Sequence, residues 1–285
     1  MPYPILLLLL TLNINLSKPN PTILSHSRVL PVKLIYPKGK TLASRISVPT
    51  GFERIKDKNG LTTYFRNLPV KQANAPVRLY NGGLKNRQDV HAAVIKMEIG
   101  NRDLQQCADA VMRLRAEYLF KQKKYSEIHF KFTSGDIAAF TKYAEGYRPV
   151  FNRDNMNWFK KASASYSYQT FRKYLDLVFS YAGTASLEKE LKLVQGLKNI
   201  KPGDVFIRGG FPGHAVMVVD VAVNTNTGEK LDLLSQSYMP AQETHIIKNP
   251  ENNKISPWYS TANTGKIITQ EWKFSPSELK RFSTW

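Results

Sequence analysis

The sequence predicts an α+β domain, a small antiparallel sheet packed on one long helix, with shorter helices inserted between the two. Three observations carry that expectation. The runs Val205-Phe206-Ile207, Ala215-Val216-Met217-Val218-Val219 and Leu231-Asp232-Leu233-Leu234 are short, β-rich and separated by Gly, Pro, Asn and Thr, the pattern of a meander. Residues 103–123 carry apolar side chains at helical spacing, with Cys107, Val111, Leu114 and Tyr118 on one face. Two further helical patterns, over 168–182 and 187–197, lie between that helix and the meander.

Taken in order, residues 5–12 form an apolar run. Its length suits the core of a secretory signal peptide and falls short of the ~20 residues that span a bilayer. No Lys or Arg precedes the run and no Ala-x-Ala site follows it, so a buried N-terminal strand is the competing reading. Residues 1–17 are expected to be a signal peptide directing export to the periplasm or cell envelope. Residues 18–50, rich in Ser, Pro, Lys and Thr, are expected to form a linker or loose arm, and residues 51–285 a single domain. Within it, residues 62–68 read as a short helix stopped before Pro69, and 77–80, 91–99 and 127–133 as strands. Residues 134–159 read as aromatic and irregular, and 266–269 as a short strand. Asp103 is the expected N-cap of the long helix, with Gln106 in the capping-box position. Asp109, Arg113 and Glu117 recur at i, i+4 and i+8 and are expected to form its solvated face. Gly183 is the expected C-cap of the 168–182 helix.

Hydrophobic residues make up 42% of the chain, enough for a sizeable core. The balance of 41 Lys+Arg against 22 Asp+Glu gives a net charge of +19. Such a field attracts polyanions, including an anionic cell-wall polymer, although a basic solubilising surface has the same composition. The basic residues are scattered rather than blocked and no nucleic-acid motif accompanies them, so no specific nucleic-acid partner is expected. No transmembrane segment is expected either. No phosphate-cradling loop occurs, and His91, His129 and His214 show no metal-ligand spacing, so no cofactor and no metal are expected. The aromatics Tyr166, Tyr168, Tyr174, Trp158 and Trp258 would suit a glycan cleft, but core packing is the commoner role of such residues.

One cysteine excludes an internal disulfide and leaves a thiol whose presence is explained by reactivity or by burial. Cys107 falls in the first turn of the 103–123 helix, where the helix dipole favours a thiolate. His214, after Gly213 at the head of the middle strand, is the natural base. Gln236 on the neighbouring strand, with Ser235 and Asp232 behind it, is the expected orienting group, accepting from His214 Nδ1–H. Gln105 or Gln106 would supply an oxyanion-hole amide beside the backbone N–H groups of the helix start. Taken singly, Cys107 reads as a buried thiol and His214 as a strand-end histidine; their joint context points to a cysteine nucleophile.

The stretch Lys201-Pro202-Gly203-Asp204-Val205-Phe206-Ile207 followed by Gly213-His214-Ala215-Val216-Met217-Val218-Val219-Asp220 resembles the signature of NlpC-type and CHAP-type cell-wall hydrolases. That resemblance implies a papain-like fold, with Cys107 as nucleophile on its helix, His214 as base and a polar third residue near Gln236. The long Cys107–His214 separation makes the intervening helices an insertion. Over a wider span, from Gly51-Phe52 through Asp103-Leu104-Gln105-Gln106-Cys107 to Gln236-Ser237-Tyr238-Met239-Pro240, the chain is similar to a bacterial family of exported proteins with no assigned function. The resulting expectation is a thiol-dependent peptidase or amidase acting on an amide bond of an envelope polymer such as peptidoglycan. The alternative is a non-catalytic envelope protein that binds glycan or peptide on the same scaffold.

Overall fold

Hydrophobicity without alternation fixes the centre of the molecule. The computed structural model describes residues 1, 33–57, 60–152, 155–262 and 265–284. Its first elements are α1 (Leu42–Arg45), β1 (Phe52–Arg54), α2 (Leu61–Arg66), β2 (His91–Val94) and α3 (Cys107–Lys121). Two hairpins follow, β3 (His129–Lys131) with β4 (Ile137–Ala139), and, after α4 (Phe140–Ala144), β5 (Tyr147–Asn152) with β6 (Asn155–Lys160). Then come α5 (Tyr168–Tyr181), α6 (Thr184–Glu190), β7 (Lys192–Leu193), β8 (Val205–Arg208), β9 (His214–Asn224) and β10 (Lys230–Gln236). The chain closes with β11 (His245–Ile247), β12 (Trp258–Ser260), β13 (Ile267–Ile268), β14 (Lys273–Phe274) and β15 (Leu279–Arg281).

The expected meander is β8-β9-β10, and it is the middle of a larger antiparallel sheet. Among the described residues that sheet has nine strands, in the order β2-β11-β10-β9-β8-β15-β7, with β1 added to β9 and β12 to β10. Strand β9 is buried on both faces, which is why residues 215–219 are an unbroken apolar run. Ala215, Met217 and Val219 face the core shared with α3, while Val216, Val218 and Val221 face a smaller core on the other side. Each of these buried valine and methionine side chains contributes about 1.5–3 kcal/mol. The register shifts between Leu233 and Leu234, which leaves Val219 of β9 as the extra residue of a bulge. Just beyond it, Asp220 accepts from Arg54 Nε at 2.6 Å and Arg66 Nη2 at 2.7 Å, tying β1 and α2 to the central strand.

The domain begins earlier than the sequence pattern suggests. Residues 32–285 form one compact unit, and Leu34, Leu42 and Ile46 are core residues, so the described part of the expected arm is folded. The apolar positions 34, 42 and 46 are too few and too widely spaced to show as a periodic pattern. Apart from Met1, the expected signal peptide, with the first part of the arm, lies outside the described residues.

Helix α3 is also not amphipathic in the expected sense. Asp109, Arg113 and Arg115 are buried along with its apolar residues. Arg113 is held by Glu117 Oε1 at 2.6 Å, Gln105 Oε1 at 2.9 Å and Tyr168 Oη at 3.1 Å. The supposed solvated face is a buried polar network between α3 and α5. Gly183 has φ −170°, extended backbone, and precedes α6 as its N-cap instead of closing α5. The aromatics are dispersed: Tyr174 and Trp258 are fully buried, with Tyr174 Oη donating to Ala138 O and Trp258 Nε1 to Ser47 O. No helix among the described residues is long and apolar enough to cross a membrane.

Candidate functional site

Helix α3 starts at Cys107, with Gln106 as N-cap; the Gln106 N–H donates to Asp109 Oδ2 at 3.0 Å. Asp103 caps nothing. Its Oδ1 accepts from Ala241 N at 2.6 Å and Gln106 Nε2 at 3.1 Å, fastening the approach to the helix onto the loop after β10. Ser237 Oγ, bonded to Gln105 O at 3.0 Å, reinforces that junction. The result places the thiol at the end of the sheet where β9 begins.

Cys107 and His214 line one cavity of about 480 Å³. Its walls are largely apolar, with Leu104, Phe179, Phe211, Tyr238, Met239 and Trp272 among them. Two buried polar atoms of lining residues have no partner: Asp109 Oδ1, an acceptor, and Trp272 Nε1, a donor. The ring of His214 packs against Tyr238 (centroids 4.8 Å apart), Trp272 (5.3 Å) and Phe274 (6.0 Å).

Behind the imidazole, a chain of hydrogen bonds fixes every proton. His214 Nε2 lies 3.1 Å from Gln236 Oε1, and Gln236 Nε2 donates to Glu271 Oε2 at 2.6 Å. A carboxylate only accepts, so the amide nitrogen of Gln236 faces Glu271 and its oxygen faces the histidine. His214 Nε2 must then carry the proton. His245 completes the arrangement. Its Nδ1 lies 2.8 Å from Glu243 O, a carbonyl that can only accept, so its Nε2 is free to accept from Gln236 Nε2 at 3.3 Å. Lys85, itself buried, pairs with Glu271 Oε1. The expected histidine–glutamine contact is present, but through Nε2 rather than Nδ1, which leaves Nδ1 as the unprotonated nitrogen.

The resting protonation is neutral on both sides. Burial first and the charge of Asp109 second push the Cys107 thiol up to about 11, against the N–H groups of Ala108, Ala215 and Cys107 itself, which pull it down. Burial likewise drives His214 down to about 4, with Gln236 opposing the shift. The helix start was expected to lower the thiol pKa. It does act in that direction, but desolvation wins.

The remaining expected residues divide. Gln106 lines the cavity. Gln105 does not reach it: it is fully buried, and its Oε1 is engaged by Arg113. Ser235 Oγ donates across the sheet to Met217 O at 3.4 Å, and Asp232 borders a different cavity. Neither supports the histidine. Among the described residues no group of three or more His, Cys, Asp or Glu is placed to hold a metal. His91 Nε2 instead lies 3.0 Å from Ala75 O, and His129 sits exposed on a hairpin. Sequence reasoning missed Glu271, Trp272, Tyr238, His245 and Lys85. None of them had a local signal: His245 lies on β11, whose three residues are all buried and show no polar–apolar alternation.

Fold and site together define a mixed α/β protein with an antiparallel sheet and a buried cysteine and histidine opening into one apolar cavity. The chain belongs to the family described as domain of unknown function 4846, whose model matches residues 42–281. No curated protein and no solved structure matches it.

Proposed function

We propose that the protein is a thiol-dependent hydrolase of papain-like design, acting on an amide bond of an envelope polymer such as peptidoglycan. The single observation that supports this reading best is the proton assigned to His214 Nε2, because it leaves Nδ1 unprotonated on a histidine that lines the same cavity as Cys107. In this reading Cys107 Sγ attacks the substrate carbonyl carbon while its proton passes to His214 Nδ1. The imidazolium so formed is stabilised through Gln236 by Glu271. The oxyanion is received by first-turn N–H groups of α3 and the Gln106 amide. His214 returns the proton to the departing amine, and water then hydrolyses the thioester, restoring thiol and acid. The unpaired acceptor on Asp109 and donor on Trp272 suit the N–H and C=O of a peptide-like substrate. The net charge of +19 favours an anionic polymer, and export is part of the proposal.

The neutral resting pair favours a second reading, a cavity that binds such a ligand without cutting it. Purified peptidoglycan and a panel of acyl-peptide amides separate the two. Amine release by the wild type that disappears in Cys107→Ser and His214→Ala, with a hydroxylamine-sensitive acyl-enzyme, supports the hydrolase. Retention on peptidoglycan without release, unchanged in Cys107→Ser, supports the binding protein.

A further inference from the structure

On the face of the sheet opposite α3 lies a second cavity, of about 240 Å³. Its apolar wall includes Phe206, Ile255 and Ile267, and its polar wall includes Asp232, Asn249 and Ser260. Two of those three polar residues are engaged with the protein. Asn249 Nδ2 donates to Trp258 O at 2.9 Å, and its Oδ1 accepts from the N–H groups of Glu251 and Asn252 at 2.9 and 3.2 Å. Ser260 Oγ donates to Glu229 Oε1 at 2.6 Å. Asp232 stands differently. It is 3% exposed, and its Oδ2 is buried with no hydrogen-bond partner.

A strand position flanked by Leu231 and Leu233 could hold any apolar residue, and a carboxyl there costs free energy unless something meets it. We infer that this cavity is a binding site for a small amine, whose ammonium group bonds Asp232 while its apolar body lies against Phe206, Ile255 and Ile267. An ammonium supplies both the missing donors and the opposite charge that a desolvated carboxylate requires. The volume suits a compact molecule rather than a polymer segment. Neither Cys107 nor His214 takes part. The ionisable groups around Asp232 are Asp204 before β8, Tyr259 opposite it on β12, and Glu251 and Lys266 lining the same cavity. Burial, then Asp204, pushes the free carboxyl up to about 8, so binding at pH 7 must expel a proton.

The probe is n-butylammonium, with n-butanol as the neutral match, titrated calorimetrically into the whole protein in two buffers of different ionisation enthalpy. The expected result is saturable binding of butylammonium alone, with a proton released at pH 7, an affinity rising towards pH 8, and a loss of about 10- to 100-fold in Asp232→Asn. Ile267→Trp, which fills the apolar wall and leaves the carboxyl in place, is expected to abolish binding as well. Equal binding of butanol, no binding by either probe, or full affinity in either folded variant overturns the inference.

Discussion

His214 Nε2 and Gln236 Oε1 are joined at 3.1 Å, and the amide that makes this contact is itself immobilised by Glu271 and His245. The orientation of the imidazole is thus set by a residue two strand-lengths of chain away from it. Gln236→Ala removes the anchor without touching the thiol. If His214 is the base, amide hydrolysis falls by about 10²-fold, while alkylation of Cys107 in the unfolded protein is unchanged. Gln236→Glu brings a second carboxylate beside Glu271 and the histidine, and is expected to raise the His214 pKa from its value of about 4. The NMR titration of the His214 ring checks this, and an unmoved value would show that the ring does not depend on position 236.

A thiol held near 11 should be unreactive at neutral pH. Iodoacetamide labelling of the folded protein is expected to be slow at pH 7 and to climb through pH 9–11, in place of the plateau a thiolate–imidazolium pair shows. Asp109, two residues on and with its own carboxyl raised well above the usual range by burial, adds to the effect through its charge. Asp109→Asn should therefore move the labelling profile to lower pH. A shift in the other direction would mean that Asp109 acts through the helix start and not through its charge.

The site's core was legible because its three members obey local rules: a polar residue at a helix start, a histidine after glycine at a strand head, a glutamine on the adjoining strand. The rest of the constellation was not. Lys85, Tyr238, Glu271 and Trp272 come from irregular segments far apart in sequence, and they meet only because the loops at one end of the sheet converge there. Burial was similarly invisible. The pattern of α3 shows an apolar face at Cys107, Val111 and Leu114, but Arg113 is enclosed by Gln105, Glu117 and Tyr168, which no spacing within the helix reveals. The meander announced itself through long apolar runs, whereas β7, β11, β12 and β15 are two or three residues each and carry too little periodicity to stand out. The Pro-Gly-Asp element proved structural, since Asp204 pairs with Arg281 Nε at 2.5 Å and secures β8 to β15.

Stability should decline on both sides of neutrality for identifiable reasons. His214 and His245 stay neutral in the folded state down to about 4 and about 3, against an ordinary value of 6.5. The unfolded chain takes up these protons first, so their contribution is intact above pH 6.5 and is lost as the pH falls towards 4 and 3. The slope approaches about 1.4 kcal/mol per pH unit for each histidine. Asp232 has the opposite sign. Its folded value of about 8 lies above the ordinary 3.8, so its contribution is full below pH 3.8 and is lost as the pH rises to 8. Urea unfolding from pH 4 to 9 is expected to show His245→Asn flattening the acid limb. Asp232→Asn should stabilise the protein most at pH 8 and least at pH 4.

Gly213 sets where His214 stands, and the reason is space. A Cβ at this position would lie 2.5 Å from Gly210 O, 2.5 Å from Thr184 Oγ1 and 2.8 Å from Arg208 O. The hydroxyl can rotate away, but the other two atoms are backbone carbonyls, one in the loop and one at the end of β8, so relief requires the backbone itself to open. Thr184 Oγ1 is also the donor that holds Gly210 O at 3.2 Å, which ties the loop to the start of α6. Gly213→Ala is therefore expected to cost about 1–3 kcal/mol, the range for overpacking a close contact. It should also displace the His214 backbone at the mouth of the cavity. Thr184→Ala offers the comparison, because it frees the same loop while removing no space. If the loop contact matters only for stability, both variants keep the His214 titration of the wild type. If it positions the imidazole, Gly213→Ala alone shifts that titration upward as water reaches the ring, and amide hydrolysis by the folded fraction falls with it.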